Sequence, residues 1–341
     1  MIYNLKPLSE QTIVITGATS GHGLATARQA ARAGANVFLI ARNLTALELV
    51  SAEIEAEGGK VDFAACDVGD ERAVEAAADQ AVERFGRIDT WVNNAGVGIY
   101  GQLEKVSTED HRKVFETNYW GVVFGSLSAA KRLKRQGGAL INIGSINADM
   151  PSPVLSAYTA SKHAVKGFTN SLRLELIASK APISVTLIKP SAIGTPFPSR
   201  AGNVTGYRPR LPPPVYAPEL VANAILYAAQ HARRSITVGG VGKFQVLGAA
   251  IFPKLFDRVG SQVGSLLLDK TERVTESTGS LHQPVTDGDV DGDQNGRPYS
   301  AYTTVRTNRL LAYALLSTGV GAAGALAMKA YQARGCRPGL V

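Results

Sequence analysis

Thr12-Ile13-Val14-Ile15-Thr16-Gly17-Ala18-Thr19-Ser20-Gly21-His22-Gly23-Leu24-Ala25-Thr26-Ala27-Arg28-Gln29-Ala30 is the stretch on which the fold turns. A β-branched apolar run leads into a glycine-rich turn, which opens an alanine-rich helical stretch ending at Gly34. Strand, glycine turn and helix form the context in which such a motif holds a dinucleotide. The glycines permit a tight turn and let the backbone approach a pyrophosphate, whose charge meets the helix N-terminus. The bland alternative, a glycine turn that binds nothing, loses weight to the residues downstream.

Outward from this stretch, strand-like runs recur near 12–16, 36–41, 60–65, 88–93, 139–144, 183–189 and 235–238. Helical stretches fall between them, near 21–33, 44–57, 70–85, 108–135, 156–179 and 217–231. This alternation predicts an α/β fold. Its core is a doubly wound, Rossmann-type parallel sheet of about seven strands, with a ligand at their carboxyl ends. With 341 residues and 45% hydrophobic content, the chain can bury one large core and carry an appendage.

Tyr158 and Lys162 stand four residues apart, so a helix places them on one face. A neighbouring cation favours the phenolate and draws a tyrosine from about 10 toward working pH, where proton transfer is efficient. Ser145 follows a strand-like run upstream. At the end of the second strand, Ala41 stands where an acid would meet the ribose hydroxyl of NAD, and Arg42 follows it. Arginine's planar fork suits a 2′-phosphate, so NADP(H) is the expected cofactor and carbonyl reduction the expected direction, with an NAD-linked alcohol dehydrogenase or a catalytically idle NADP-binding sensor or scaffold as the alternatives. A solvated surface arginine is the alternative.

Together these residues resemble the short-chain dehydrogenase/reductase family, over about residues 8 to 240. The loop Thr16-Gly17 through Gly21-His22-Gly23 is similar to its cofactor loop, although an aliphatic residue usually stands at His22. Asp67-Val68, Asn93-Asn94-Ala95-Gly96, Asn118, Ser145, Tyr158 and Lys162 match further family motifs in the same order. Lys189-Pro190-Ser191 departs from the usual Pro-Gly, while Thr195 matches.

The resemblance implies a catalytic set of Asn118, Ser145, Tyr158 and Lys162. Tyr158 would exchange a proton with the substrate oxygen, and Ser145 would orient that oxygen. Lys162 would lower the tyrosine's pKa and hold the ribose, and Asn118 would complete a proton relay. Implied cofactor contacts are Gly17, Thr19, Ser20, Gly21, His22, Gly23, Arg42, Asp67, Val68, Asn94, Ala95 and Gly96, with Tyr158, Lys162, Pro190, Ile193 and Thr195. Ser145, Asn147 and Tyr158 are the implied substrate contacts; Tyr100, Met150, Ser152 and residues 191–216 are further candidates. The proline-rich stretch 191–216 reads as an irregular lid suited to a small hydrophobic alcohol or carbonyl compound. A homodimer or homotetramer is implied, through the apolar faces of the helices near 108–135 and 156–179.

Beyond residue 240 the resemblance ends. Residues 244–269 form an apolar segment that suits a packed C-terminal helix, with a cover for the pocket, a partner surface or a membrane contact as alternatives. Residues 270–305 turn polar and read as a disordered linker. Within the linker, Asp291-x-Asp293-x-Asn295-Gly296 imitates a calcium loop, but Tyr302 stands where a bidentate Glu is needed. No metal site is expected there. Residues 310–328 carry no charged side chain and as a helix would span about 28 Å. Within 306–341 this stretch has basic flanks and is a candidate membrane anchor or in-plane helix, with a surface or partner-binding helix as the alternative.

The formal charge of +8 suits a phosphate-bearing cofactor, but the basic residues are spread out and no nucleic-acid motif appears. Two cysteines, Cys66 and Cys336, give no disulfide framework. The opening Met1-Ile2-Tyr3-Asn4-Leu5-Lys6 is unlike a secretory signal, which points to a cytoplasmic catalytic domain.

Overall fold

A computed structural model describes residues 3–285 and 288–308. The chain alternates β1 (Thr12–Thr16), α1 (Gly21–Arg32), β2 (Asn36–Ala41), α2 (Leu44–Ala56), β3 (Lys60–Ala65), α3 (Glu71–Phe85) and β4 (Thr90–Asn93). A two-residue strand β5 (Ile99–Tyr100) precedes α4 (Thr108–Phe115), α5 (Gly121–Gln136), β6 (Gly138–Ile143), α6 (Ser156–Ala178) and β7 (Ile183–Pro190). After a four-residue α7 (Phe197–Arg200) come β8 (Gly202–Asn203), β9 (Tyr207–Pro209), α8 (Pro218–Gln230) and β10 (Ser235–Val238). The chain continues with α9 (Gly240–Ile251), α10 (Pro253–Val263), β11 (Leu268–Arg273) and α11 (Ala301–Thr307).

Seven strands form one sheet in the order β10-β7-β6-β4-β1-β2-β3. Every pairing within it is parallel. Its central strands are buried along their whole length, as a sheet covered on both faces requires. Successive strand residues face opposite layers. Ile13 and Ile15 pack with Leu24 and Ala27 of α1, Leu47 of α2 and Val221 and Ile225 of α8. Val14 packs on the other face with Ala77 of α3, Leu133 of α5 and Leu172 of α6. The order reverses between β1 and β4, which opens a crevice at their carboxyl ends.

Side chains cap the N-termini of three of the helices around the sheet. Asn43, Asp70 and Ser107 each accept first-turn amides of α2, α3 and α4. Ser20, ahead of α1, makes no such side-chain bond.

Three stretches differ from the sequence-based expectation. The helix expected over 108–135 is broken by a π-turn at Glu116–Trp120, which draws Asn118 fully into the interior. The stretch 191–216 is less irregular than its prolines suggest. Pro196 caps α7, while β8 pairs with β5 and β9 with β11.

The described residues of 270–305, a stretch expected to be disordered, instead pack on the domain. Asn203 and Ser277 exchange backbone hydrogen bonds, as do Ala217 and Val215 with Arg297, and Thr303 of α11 accepts the Gly239 amide. These attachments run largely through backbone groups, which composition does not reveal. The apolar stretch 310–328 and Cys336 lie outside the described residues. No helix among the described residues is long and apolar enough to cross a membrane.

Candidate active site

The glycine turn is held from below by Asn94. Its Nδ2 donates to the carbonyls of Thr16 (2.8 Å) and Gly17 (3.0 Å). Thr16 Oγ1 in return accepts the amides of Asn94 (2.9 Å) and Ala95 (3.0 Å). The carboxyl ends of β1 and β4 are thereby locked together. Gly17 has φ +63°, a left-handed conformation that favours glycine. Gly23 serves a different end: a Cβ there would stand 2.1 Å from the Gly17 carbonyl oxygen, so only glycine lets α1 start this close to its own turn.

Gly17, Thr19, Ser20, Gly21, His22, Arg42, Asp67, Val68, Asn94, Ala95, Gly96 and Thr195 line one cleft. Gly23 does not line it, because it is spent on packing. Burial works to raise the Asp67 carboxyl, but the Gly69 amide and Lys113 together hold it below its ordinary value. Burial pushes His22 down to about 4, so its ring is neutral near physiological pH.

The cleft is continuous with a second cavity of about 380 Å³, since His22, Asn94, Gly96, Thr195 and Phe197 line both. Ser145, Asn147, Tyr158, Lys162, Pro190 and Ile193 line this second space. Tyr100, Met150 and Ser152 do so too. Ser145 follows β6, and its Oγ accepts the Asn147 amide at 3.1 Å. Tyr158 and Lys162 project from the first turns of α6. Lys162 Nζ lies 5.6 Å from the centre of the Tyr158 ring and donates to the Ile143 carbonyl at 2.9 Å.

Asn118 lines neither space. Its side chain bonds the Val97 amide (2.8 Å), the Val97 carbonyl (2.9 Å) and Ser161 Oγ (3.0 Å). It therefore ties the π-turn both to the segment after β4 and to α6.

The electrostatics depart from the expected tuning. Burial pushes the Tyr158 phenol up to about 12, against an opposing hydrogen bond from Ser145. Burial also brings the Lys162 ammonium down to about 8. In this state desolvation outweighs any help the cation gives the phenolate, because the ammonium is buried too and is held by a carbonyl. Tyr158 is a protonated donor at neutral pH.

Further walls of the cavity come from the stretch after residue 240, much of it the apolar segment 244–269, and from the expected lid. Val241, Gly242 and Gln245 come from α9, Phe256, Val259 and Gly260 from α10, and Leu267 follows them. Phe197 sets its ring centre 5.4 Å from that of Tyr158. In the cleft, Ser280, Pro284 and Val285 form a rim from the stretch expected to be disordered.

Comparison with known proteins gives a consistent picture. The model of the short chain dehydrogenase family matches residues 11–203. Over 262 residues the chain is 43% identical to the uncharacterized oxidoreductase YxnA of Bacillus subtilis, covering 76% of this chain and 74% of that protein. It is 36% identical over 193 residues to a 3beta-hydroxysteroid dehydrogenase of Mediterraneibacter gnavus, covering 56% of this chain and 69% of that protein. Among solved structures it resembles an alcohol dehydrogenase from the archaeon Thermococcus sibiricus complexed with 5-hydroxy-NADP. The TM-score is 0.59 at 27% identity, covering 67% of this chain and 95% of that one.

Proposed function

The chain belongs to the short-chain dehydrogenase family, and on that premise we propose that it is an NADP(H)-dependent oxidoreductase that reduces a hydrophobic carbonyl compound to an alcohol. The observation that carries this reading is the meeting of Ser145, Tyr158 and Lys162 in a cavity continuous with the glycine-turn cleft. The cleft fits a dinucleotide: Thr117 Oγ1, on a residue lining it, is buried without a hydrogen-bond partner among the described residues. The N-terminus of α1, without a side-chain cap, faces the same space. Ala41 offers no carboxylate to a ribose, and Arg42 stands beside it, which favours NADP(H) over NAD(H).

The residues of the cleft would hold a reduced nicotinamide dinucleotide, whose chemistry would be the delivery of a hydride to the carbonyl carbon. Tyr158 gives its phenol proton to the carbonyl oxygen; burial pushes this phenol up to about 12 and weakens it as an acid, so the step depends on Lys162 to ease formation of the phenolate. Ser145 donates to the same oxygen and orients it. Lys162 stabilises the phenolate that Tyr158 becomes, and Asn118 holds Ser161 and the turn before it in place. The apolar walls from α9 and α10 favour a substrate with a sizeable hydrocarbon body, and the name of the steroid dehydrogenase relative agrees. Exposed Trp120, Leu127, Leu174 and Ile177, along the π-turn, α5 and α6, support self-association.

Tyr158→Phe tests the reading. NADPH consumption on a panel of hydrophobic ketones should fall about 10²–10⁴-fold while NADPH affinity is kept. Full turnover in the variant would sink it.

A further inference from the structure

Past Gly279 the chain turns back along the cleft mouth, and its backbone takes up donors of the cleft itself. Arg42 donates to the carbonyl of Leu281 (3.2 Å) and to that of Ser280. Asn43 Nδ2 donates to the Val285 carbonyl at 3.1 Å. On the far side, the Gly288 amide donates to the Thr19 carbonyl (3.0 Å), and the Asp289 carbonyl accepts the Gly21 amide (2.9 Å). The amide that opens α1 and the guanidinium at the end of β2 are therefore both engaged by carbonyl oxygens of this chain.

The seat is built for glycine. A Cβ on Gly292 would stand 2.3 Å from the Thr195 carbonyl oxygen, and one on Gly296 would stand 2.4 Å from the Ala217 amide nitrogen. The Gly292 amide donates to the Gly194 carbonyl at 2.9 Å. Ion pairs fasten the segment at Asp289–Arg200 (3.1 Å) and Asp293–Arg208 (2.6 Å).

We propose that residues 280–285 and 288–296 are a strap that competes with the dinucleotide, its carbonyl oxygens standing in for phosphate oxygens at Gly21 and Arg42. This rests on the dinucleotide reading of the cleft. The Gly21 amide has a single hydrogen and cannot serve both the strap and a phosphate. Arg42 gives one hydrogen from each terminal nitrogen to the strap, so apparent affinity falls with the fraction of molecules in which the strap is seated. Arg42 would serve only a 2′-phosphate, so the strap weighs more heavily on NADPH than on NADH.

The test compares the full chain with Gly292→Leu/Gly296→Leu, whose added side chains collide with the backbone of the seat. In fluorescence titrations the variant should bind NADPH about tenfold more tightly, with a smaller gain for NADH. Arg208→Ala, which only loosens a rim ion pair, should shift NADPH affinity the same way by less. In the unaltered protein, NADPH should speed cleavage by a protease that cuts before Asp289, Asp291 and Asp293. Unchanged or weaker NADPH binding in both variants, or protection of the segment by NADPH, overturns the strap and leaves the cleft reading standing. No binding of either nucleotide by any of the three proteins overturns both.

Discussion

Lys162 offers a test of the site that needs no substrate. It is 4% exposed, and burial brings its ammonium from the ordinary lysine value to about 8. The folded protein thus releases this proton near pH 8, whereas the unfolded chain keeps it to about 10.4. Between these values the unfolded state binds more protons, so the lysine's contribution to stability rises with pH across the window. Below it, the folded state carries the full cost of a buried charge. At about 1.4 kcal/mol per pH unit the difference amounts to about 3 kcal/mol. Lys162→Met keeps the length of the side chain and removes the titration. It also orphans the Ile143 carbonyl, a loss of about 1 kcal/mol that does not vary with pH. Urea unfolding of both proteins from about pH 7 to about pH 10.5 isolates the lysine, because other groups titrate alike in each. The unaltered protein should gain about 3 kcal/mol on the variant as pH rises. A difference that stays flat, or that moves the other way, would refute a desolvated lysine.

Further tests reach the supporting structure. A Cβ at Gly125 would stand 2.0 Å from Asn93 Oδ1, the acceptor of the Trp91 indole N–H. Gly125→Ala should therefore cost about 2–4 kcal/mol in urea unfolding, and a loss under about 0.5 kcal/mol would contradict the packing there. Val259→Trp, which fills part of the cavity, should raise KM for bulky ketones about tenfold and spare a small one; equal effects on both would place the substrate elsewhere. Glu75 sits against Ser128, Lys131 and Arg132, whose bonds outweigh burial and hold its carboxyl down to about 2. Its contribution is present above the ordinary carboxylate range and lost as pH falls toward about 2. Glu75→Gln should cost about 1 kcal/mol at neutral pH and nothing measurable near pH 2, whereas an equal cost at both would remove the ion-pair account.

The sheet was legible because all of its strands but the edge strand β3 are largely buried runs between turn residues, so periodicity and glycine placement agree on the same elements. The ends of β1, β2 and β3 fall where the residues predict. The cleft was legible for a similar reason: close approach at Gly17 and Gly23 demands a residue type, which leaves a mark in the chain. The π-turn left none, since Glu116–Trp120 has the composition of ordinary helix. The i, i+4 spacing placed Tyr158 and Lys162 together but could not show that the ammonium would be buried against the Ile143 carbonyl. Residues 280–296 escaped because their bonds to Thr19, Gly21 and Arg42 are made by main-chain atoms, while their side chains have the composition of a loop.

The order of elements along the chain gives each molecule a history. The sheet that shapes the cleft is complete at Val238, whereas the segment across its mouth runs on to Gly296. Ribosomes add about 5–20 residues per second, so the roughly 60 residues between them take about 3–12 s to make. In a chain that folds as it is made, the glycine turn and Arg42 stand open for those seconds. If the strap competes as proposed, a nascent chain meets its nucleotide without a rival, whereas the finished protein does so only in the fraction of molecules with the strap unseated.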